Sequence, residues 1–349
     1  MQKINFGTRM IGDGEPVFII AEAGVNHNGE LAKALELVDI ARDAGADAVK
    51  FQLYRADEQV SRAAPTAQYQ RDHTRETQML EMARSYDLPW EAHRDIRRHC
   101  DSVGITYLAS CFDTKAVDFF LELRGAGIKV GSGEITNYPL LAYMSATGKP
   151  ILLSTGMSTL DDVAGAVAHI RASGPSELAL FQCTSNYPTD PGDANVRALQ
   201  TLKHEFNMPV GYSDHTRSNT AAIAAVALGA SIIEKHFTLD RSLPGPDHHM
   251  SLSPDELRAY VADIRTTERA LGNGIKAPCE QELATMLVAR RSLVSTKLIP
   301  AGDTLTDENV TLKRPATGID PRLWPTVRGR KVKAEIQPDI PITWDDLVE

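Results

Sequence analysis

Two short polar clusters, Ser213-Asp214-His215 and Glu234-Lys235-His236, each follow an apolar run. Between them Ser218 to Gly229 is alanine-rich, with Ser218 placed to cap a helix and Gly229 to stop it. The stretch from Gly211 to His236 therefore reads strand, helix, strand. Parallel neighbouring strands, about 4.8 Å apart, would bring both histidines out at the same carboxyl-terminal edge, where two imidazoles can share one divalent metal ion. A lone histidine is more often a packed or solvated residue, and no HExxH pattern is present. The pair acquires meaning only if the fold supplies the proximity.

Lys50 in AVKFQ and Lys129 in GIKVGSGE sit inside apolar strands, from which an unpaired ammonium is normally excluded by the cost of burying it. Either each pairs with a structural carboxylate such as Glu234, or the two together hold a phosphate or carboxylate, assisted by the amides and hydroxyl of Ser132-Gly133. Residue alternation along the strands sorts the other strand-end groups. It puts Glu22 with Gly24, Lys50 with Gln52, Ser213 with His215 and Glu234 with His236. Ser110, Ser132-Gly133-Glu134 and Thr184-Ser185-Asn186-Tyr187 end three further strands. An anion site, a two-histidine metal and a glutamate, Glu22 or Glu134, suit carbon–carbon bond formation. In such a reaction the metal polarises an aldehyde and a phosphorylated enol attacks it.

The elements that must position these groups repeat one pattern, a short apolar strand, a polar end and an amphipathic helix. Eight strands are expected at Val17–Gly24, Ala48–Leu53, Thr106–Cys111, Ile128–Gly131, Pro150–Ser154, Leu178–Cys183, Pro209–Tyr212 and Ser231–His236. Helix signals lie between them. Leu31, Leu35 and Val38 share a face, Ser158 and Asp161 open a second helix, and Ser253-Pro254-Asp255-Glu256 opens the last with a cap and a first-turn proline. Strands alternating with helices in this number predict an α/β fold, a (β/α)8 TIM barrel with its active site at the carboxyl-terminal mouth. A doubly wound sheet is the alternative, but no GxGxxG follows the first strand. The long segment from Arg55 to Leu88 is expected to form an extended loop over the mouth, with a short helix near Thr77 to Ser85. The domain reading is a catalytic barrel over 1–275, a linker over 276–289 and a small β-rich module over 290–349. That module has few apolar residues for a core of its own and is expected to lean on a partner surface.

The chain has 349 residues and a net charge of −9, and Lys276 to Glu349 holds as many basic as acidic residues, so the barrel carries the negative excess. That composition argues against a nucleic-acid or anionic-membrane surface. Cys100, Cys111, Cys183 and Cys279 form no CxxC pair, in keeping with a reducing cytoplasm. No apolar run is long enough to span a bilayer, and the N-terminus lacks a signal-peptide core. A soluble cytoplasmic protein is the expectation.

From Glu22 onward the chain resembles the sialic acid synthases. The matching segments are IIAEAGVNHNG, AVKFQ, IKVGSGEITNYPLL, KPILLSTGMS, QCTSNYPT, GYSDHT, EKHFTLDRSLPGPDH and a late KRP. The resemblance implies a TIM barrel followed by an antifreeze-like (SAF) domain. It implies condensation of phosphoenolpyruvate with an N-acetylated mannose-type sugar and water, giving a nine-carbon 2-keto acid and phosphate. On it, His215 and His236 would bind Mn²⁺, with Mg²⁺ or Co²⁺ as alternatives. Lys50, Ser110, Lys129, Ser132, Ser185 and Ser213 would contact phosphoenolpyruvate, and Gln52, Tyr187 and Asp247 the sugar. Glu22 would orient or deprotonate the attacking water, with Glu134 a second proton-transfer candidate. Arg314 would reach the sugar's N-acetyl side from the other subunit of a domain-swapped homodimer.

The chain departs from the family pattern at Ala109-Ser110-Cys111-Phe112, where Ser-Thr-Pro-Phe is common, and at Ser185, which can be asparagine. The stretch from Arg55 to Gln78 carries no transferable motif and is expected to contribute to sugar selectivity. N-Acetylneuraminate synthase is the implied activity. A legionaminate or other nonulosonate synthase is the alternative within the class, and Pro244-Gly245-Pro246-Asp247-His248 leans away from the pseudaminate synthases. A non-catalytic sugar- or ice-binding protein is the alternative from another class. It would be expected to have lost the lysines, glutamates and histidines that this chain retains.

Overall fold

Strands covered on both faces lose the alternation of half-exposed ones and read as continuous apolar runs. FIIAEAG, LALFQC and IIEKH are of this kind and are buried at every residue. The computed structural model describes residues 3–67, 70–71, 74 and 76–348. An N-terminal hairpin, β1 (Ile4–Phe6) and β2 (Arg9–Ile11), precedes the barrel. Next come β3 (Phe18–Gly24), β4 (Ala48–Leu53), β5 (Thr106–Cys111), β6 (Ile128–Val130), β7 (Ile151–Ser154), β8 (Leu178–Cys183), β9 (Val210–Asp214) and β10 (Ile232–His236). These eight close into one parallel barrel, β10 returning to pair with β3. They coincide with the expected strands to within two residues at each end. The hairpin was not foreseen. Its Phe6 packs edge-on against Phe18, 5.3 Å between ring centres, at the start of β3.

Barrel register brings distant residues side by side. His236 is opposite Glu22, Glu22 opposite Lys50, Gln52 opposite Ser110, and Ser110 opposite Lys129. A bulge between Glu22 and Gly24 shifts the register of β3 against β4, and Gly24 takes φ +53°, a conformation that costs glycine little. The bulge keeps Glu22 and Gly24 on the mouth side despite the extra residue.

The intervening helices follow their expected signals with two corrections. Helix Leu160–Ser173 is capped by Thr159 in a capping box with Asp162, not by Ser158 with Asp161. Both spacings satisfy the motif, and Ser158 instead donates to the Gly156 carbonyl at 3.1 Å. Helix Thr220–Ala227 has no side-chain cap, because Ser218 lies outside it and Asn219 donates to Asp263 at 2.7 Å. Ser253 and Glu256 form the expected box on Pro254–Leu271, a cap worth about 1 kcal/mol. After β4 the described part of the loop is pinned by a bridge between Pro65 and Gln78 and leads into helix Met79–Tyr86. Residues 68, 69, 72, 73 and 75 of the segment expected over the mouth lie outside the described residues.

The chain divides into two compact units, Met1–Gly272 and Asn273–Glu349. Within the second, residues 280–289, read from the sequence as linker, form the helix Glu280–Ala289. β11 (Ser292–Ser295) pairs antiparallel with β12 (Val310–Lys313), and isolated bridges such as Ile299 to Ile336 complete the module. It has a core of its own, including Leu293, Leu305, Val327 and Ile342, all fully buried. The expectation of a nearly coreless module is therefore corrected. Its apolar residues are scattered along the chain and converge only in three dimensions.

Closure of the barrel depends on a close approach at Gly211, which lies opposite Ile232. A Cβ there would stand 2.8 Å from Ile232 Cβ and 2.9 Å from Phe181 Cε1. Overpacking of this kind costs about 1–3 kcal/mol. Gly211→Ala is expected to lower the unfolding free energy by that amount, read as a lower urea midpoint at unchanged slope, whereas Gly133→Ala, with open space at the Cβ, leaves the midpoint in place.

Candidate active site

A cavity of about 490 Å³ opens at the carboxyl ends of the barrel strands, where Lys50, Ser110, Lys129, Ser213, Glu234 and His236 converge. At its floor Lys50 Nζ lies 3.1 Å from Glu234 Oε2 and 3.5 Å from Glu22 Oε2, and Lys129 Nζ lies 3.6 Å from Glu234 Oε1. All four side chains are buried. Hydroxyls surround the ammonium groups. Lys50 donates to Ser110 Oγ at 3.2 Å and Lys129 to Ser154 Oγ at 2.7 Å, while Ser213 donates to Glu234 Oε1 at 3.1 Å. Ser132 Oγ accepts from the Gly156 amide at 3.0 Å and lies 3.2 Å from Cys183 Sγ. Gly156 makes this convergence fit, since a Cβ there would fall 2.3 Å from Ser185 Oγ and 2.8 Å from Ser132 Oγ.

Environment separates the two carboxyls. Burial pushes Glu22 up to about 8 against the pull of Lys50. Burial would raise Glu234 too, but the ammonium groups of Lys129 and Lys50 override it and hold Glu234 down to about 2. Burial lowers Lys129 to about 8, opposed by Glu234, whereas for Lys50 the attraction of Glu22 and Glu234 outweighs burial and raises it. Glu22 thus holds its proton more tightly than Glu234 does. Two ammonium groups and a ring of hydroxyls are what a multiply charged anion requires.

His215 and His236 stand above this floor with ring centres 5.5 Å apart, and Tyr187 packs on both at 4.2 Å and 5.7 Å. Burial holds His215 down to about 4 and keeps His236 well below its ordinary value, so both imidazoles are neutral. His215 Nδ1 is 2.7 Å from the Thr184 carbonyl, which only accepts, so Nδ1 carries the proton and Nε2 keeps its lone pair. The Ser213 hydroxyl, 3.4 Å from that Nε2, directs its single proton to Glu234. His236 Nδ1 is buried without a hydrogen-bond partner, the Asp247 Oδ2 atom being 3.9 Å away. Two neutral imidazoles with uncommitted nitrogens fit a divalent ion. Among the described residues no third His, Cys, Asp or Glu joins them as a ready-made ligand.

The outward-facing residues of the same strands fix this geometry. Lys235 Nζ pairs with Asp214 Oδ2 at 3.0 Å, and that carboxylate also accepts from Tyr260 Oη at 3.0 Å and the Thr216 amide at 2.9 Å. His215 is thus held between a carbonyl on one side and a buried ion pair in its own backbone segment.

Of the residues singled out in the sequence, Glu22, Lys50, Gln52, Ser110, Lys129, Ser132, Ser185, Tyr187, Ser213, His215, His236 and Asp247 all line this cavity. Glu134 does not line it, because its carboxylate turns back to accept from Asn137 at 2.7 Å. Arg314 belongs to the second unit and is exposed. Ser154 and Glu234 were not put forward as site residues. Ser154 ends its strand as Ser110 does, so the strand-end rule was sufficient to find it.

Comparison with known proteins agrees with this geometry. The NeuB family matches residues 37–276 and the SAF domain residues 290–348. The chain is 40% identical to N,N'-diacetyllegionaminic acid synthase of Legionella pneumophila, over 99% of this chain and 98% of that one. It is 35% identical to the Homo sapiens N-acetylneuraminate-9-phosphate synthase, over 98% and 95%. Among solved structures, an N-acetylneuraminic acid synthetase from Leptospira borgpetersenii in complex with citrate superposes with TM-score 0.73 at 33% identity, over 82% of this chain and 95% of that one. An eight-stranded barrel with this floor of lysines and this pair of histidines, joined to a SAF domain, belongs to the NeuB family, the sialic acid synthases, and the chain is an enzyme of that family.

Proposed function

We propose that this chain joins phosphoenolpyruvate, an N-acetylated mannose-type sugar and water into a nine-carbon 2-keto acid and phosphate. The observation that carries the reading is a single cavity that brings together two buried lysines in a ring of hydroxyls, Glu22 beside Lys50, and two neutral histidines. Lys50, Lys129 and the hydroxyls of Ser110, Ser132, Ser154, Ser185 and Ser213 hold the phosphate and carboxylate of phosphoenolpyruvate. The enol carbon C3 bonds to the aldehyde carbon of the open-chain sugar, leaving positive charge at C2. Water adds to C2, and collapse of that adduct expels phosphate and leaves the ketone. Glu22, protonated at rest, gives its proton to the aldehyde oxygen and recovers one from the attacking water, so the cycle balances.

His215 and His236 hold a divalent ion, Mn²⁺ in this reading. When bound it supplies Lewis acidity towards the aldehyde oxygen. Gln52, Tyr187 and Asp247 hold the sugar. A homodimer in which Arg314 of one chain serves the sugar bound to its partner rests on the family resemblance. N-Acetylmannosamine is the simplest acceptor in the class and a diacetamido-deoxyhexose the alternative.

Phosphate release should require both substrates, stop with a chelator and return with Mn²⁺; release from phosphoenolpyruvate alone at the same rate would contradict condensation. His236→Ala should lose bound manganese by elemental analysis while its thermal midpoint stays within a few degrees, because a mouth residue is not core packing. Retained manganese would remove His236 from the ligand set. Arg314→Ala should raise the KM for the sugar about tenfold or more and leave that for phosphoenolpyruvate unchanged. Mixing it with an inactive Lys129→Ala variant should recover up to a quarter of wild-type activity if the subunits share sites, and none if they do not.

A further inference from the structure

Two segments on which the condensation draws only at Asp247, VNHN (25–28) after β3 and PGPDHHMS (244–251) after β10, meet at the carboxyl edge of these paired strands. The loop after β10 is closed at its neck, where the Leu252 amide donates to the His236 carbonyl at 3.0 Å and the Thr238 amide to the Leu252 carbonyl at 2.9 Å. Two asparagines of the first segment hold its body. Asn26, wholly buried, donates through Nδ2 to the Phe237 carbonyl at 2.8 Å and to Ser251 Oγ at 2.9 Å, and Ser251 donates to the Asp247 carbonyl at 2.7 Å. Asn28 donates through Nδ2 to the Pro244 carbonyl at 3.0 Å, and its Oδ1 lies 2.9 Å from His248 Nε2.

One carbonyl assigns every proton in the second anchor. Pro244 can only accept, so Asn28 turns Nδ2 to it and Oδ1 to His248; Oδ1 also only accepts, so His248 Nε2 carries a proton. Burial, with the charge of Lys33 adding to it, holds His248 down to about 4, so the ring is neutral and its Nδ1 accepts. Thr238 Oγ1 supplies that proton from 2.6 Å, the Asp240 carbonyl being farther from it at 3.2 Å. The imidazole is thereby satisfied on both nitrogens, and it bridges the loop after β3 to a residue two places beyond His236. Gly245 permits the close packing, since a Cβ there would fall 2.6 Å from His248 Cδ2, at a φ of +156°.

Both anchors act on the main chain on either side of Asp247, one through Ser251 at its carbonyl and the other through His248, the next residue. Asp247 lines the cavity with Oδ2 3.9 Å from His236 Nδ1, whereas Asn26, Asn28 and His248 are not among the described residues that line it. Resting on the condensation proposed above, we infer that Asn28 and His248 are positioning residues: they hold the loop of residues 244–251 so that Asp247 faces the acceptor sugar beside the histidine pair. Asn26 ties the same loop to the strand end that carries His236. These groups act on the sugar through Asp247, and a misplacement of about 1 Å at such a contact is enough to cost on the order of 100-fold.

The test uses the full-length, manganese-loaded protein and two readouts, hydrogen exchange in the peptide covering 240–250 and steady-state phosphate release. The acceptor is N-acetylmannosamine or 2,4-diacetamido-2,4,6-trideoxymannose, whichever the wild type turns over faster. Asn28 has φ +51°, so Asn28→Gly removes the side chain without straining the backbone. Asn28→Gly and His248→Ala should each speed exchange in the loop and raise the KM for the sugar about tenfold, with bound manganese and the KM for phosphoenolpyruvate unchanged. The double variant should be no worse than either single by more than about twofold, because the two side chains act as one unit. His248→Gln, which puts an amide N–H where Nε2–H stands, should recover most of the lost sugar affinity. A merely structural role would lower kcat through loss of folded enzyme and leave both KM values in place, which overturns the assignment. Unchanged exchange in the loop overturns the anchors, and faster exchange with an unchanged sugar KM overturns their link to the sugar. No phosphate release from the wild type with either sugar overturns the condensation and that link together, while the exchange result still decides whether Asn28 and His248 hold the loop.

Discussion

Everything at the barrel mouth is organised around two ammonium groups buried against a single shared carboxylate. Lys50 and Lys129 reach Glu234 at 3.1 Å and 3.6 Å, with Glu22 at 3.5 Å from Lys50. Removing one member of a buried ion cluster typically costs about 3–5 kcal/mol, since the partners stay buried without compensation. The cluster is thus a structural element of the barrel interior and, at the same time, part of the lining of a cavity. Its two ammonium groups face that cavity among hydroxyls that can turn towards an arriving anion.

The same cluster fixes the chemistry next to it. Lys129 and Lys50 together override burial at Glu234 and lower it, whereas at Glu22 burial outweighs the pull of Lys50 and raises it. Because the histidines lie beyond both, burial keeps them neutral and their lone pairs available. Register is the device that makes this possible. His236, Glu22 and Lys50 are neighbours across three strands although 214 residues separate the first two in the chain. A one-residue slip would turn all three into the helical layer. The Asp214–Lys235 pair on the outer side of β9 and β10 opposes such a slip, since it too would have to be unpaired.

Much of this was legible in the sequence because its signals are local. An apolar run ending in a polar residue marks a strand and its mouth end together, and a lysine within such a run, as in AVKFQ, is anomalous on its face. Glu234 was legible as a partner for either lysine but not as the partner of both, which depends on barrel closure. The capping residue before Leu160 was ambiguous because Ser158 and Thr159 both open a valid motif. Glu134 sits in a motif-rich loop, yet its side chain is satisfied locally by Asn137, a choice that spacing does not reveal. The core of the small domain was hidden for the opposite reason, its members being single apolar residues separated by turns.

The cavity wall contributed by the long loop after β4 was least visible, although its pattern is present. Met79, Met82, Ala83 and Tyr86 have helical spacing, which in isolation indicates a face packed on a core. In this fold the helix buries Leu80 in a small core, against which Ala83 and Tyr86 also pack, and the same face borders the cavity. Positive charge at the floor, neutral imidazoles above it, a carboxylate at Asp247 and an apolar wall beyond succeed one another along one cavity. The barrel strands and their carboxyl ends supply the first two, the loop after β10 supplies Asp247, and the segment after β4 supplies the last. The floor and the histidines cannot change without losing the chemistry or the barrel interior. The segment after β4 is under no such constraint, because among the described residues its side chains pair with none of the buried charges of the floor.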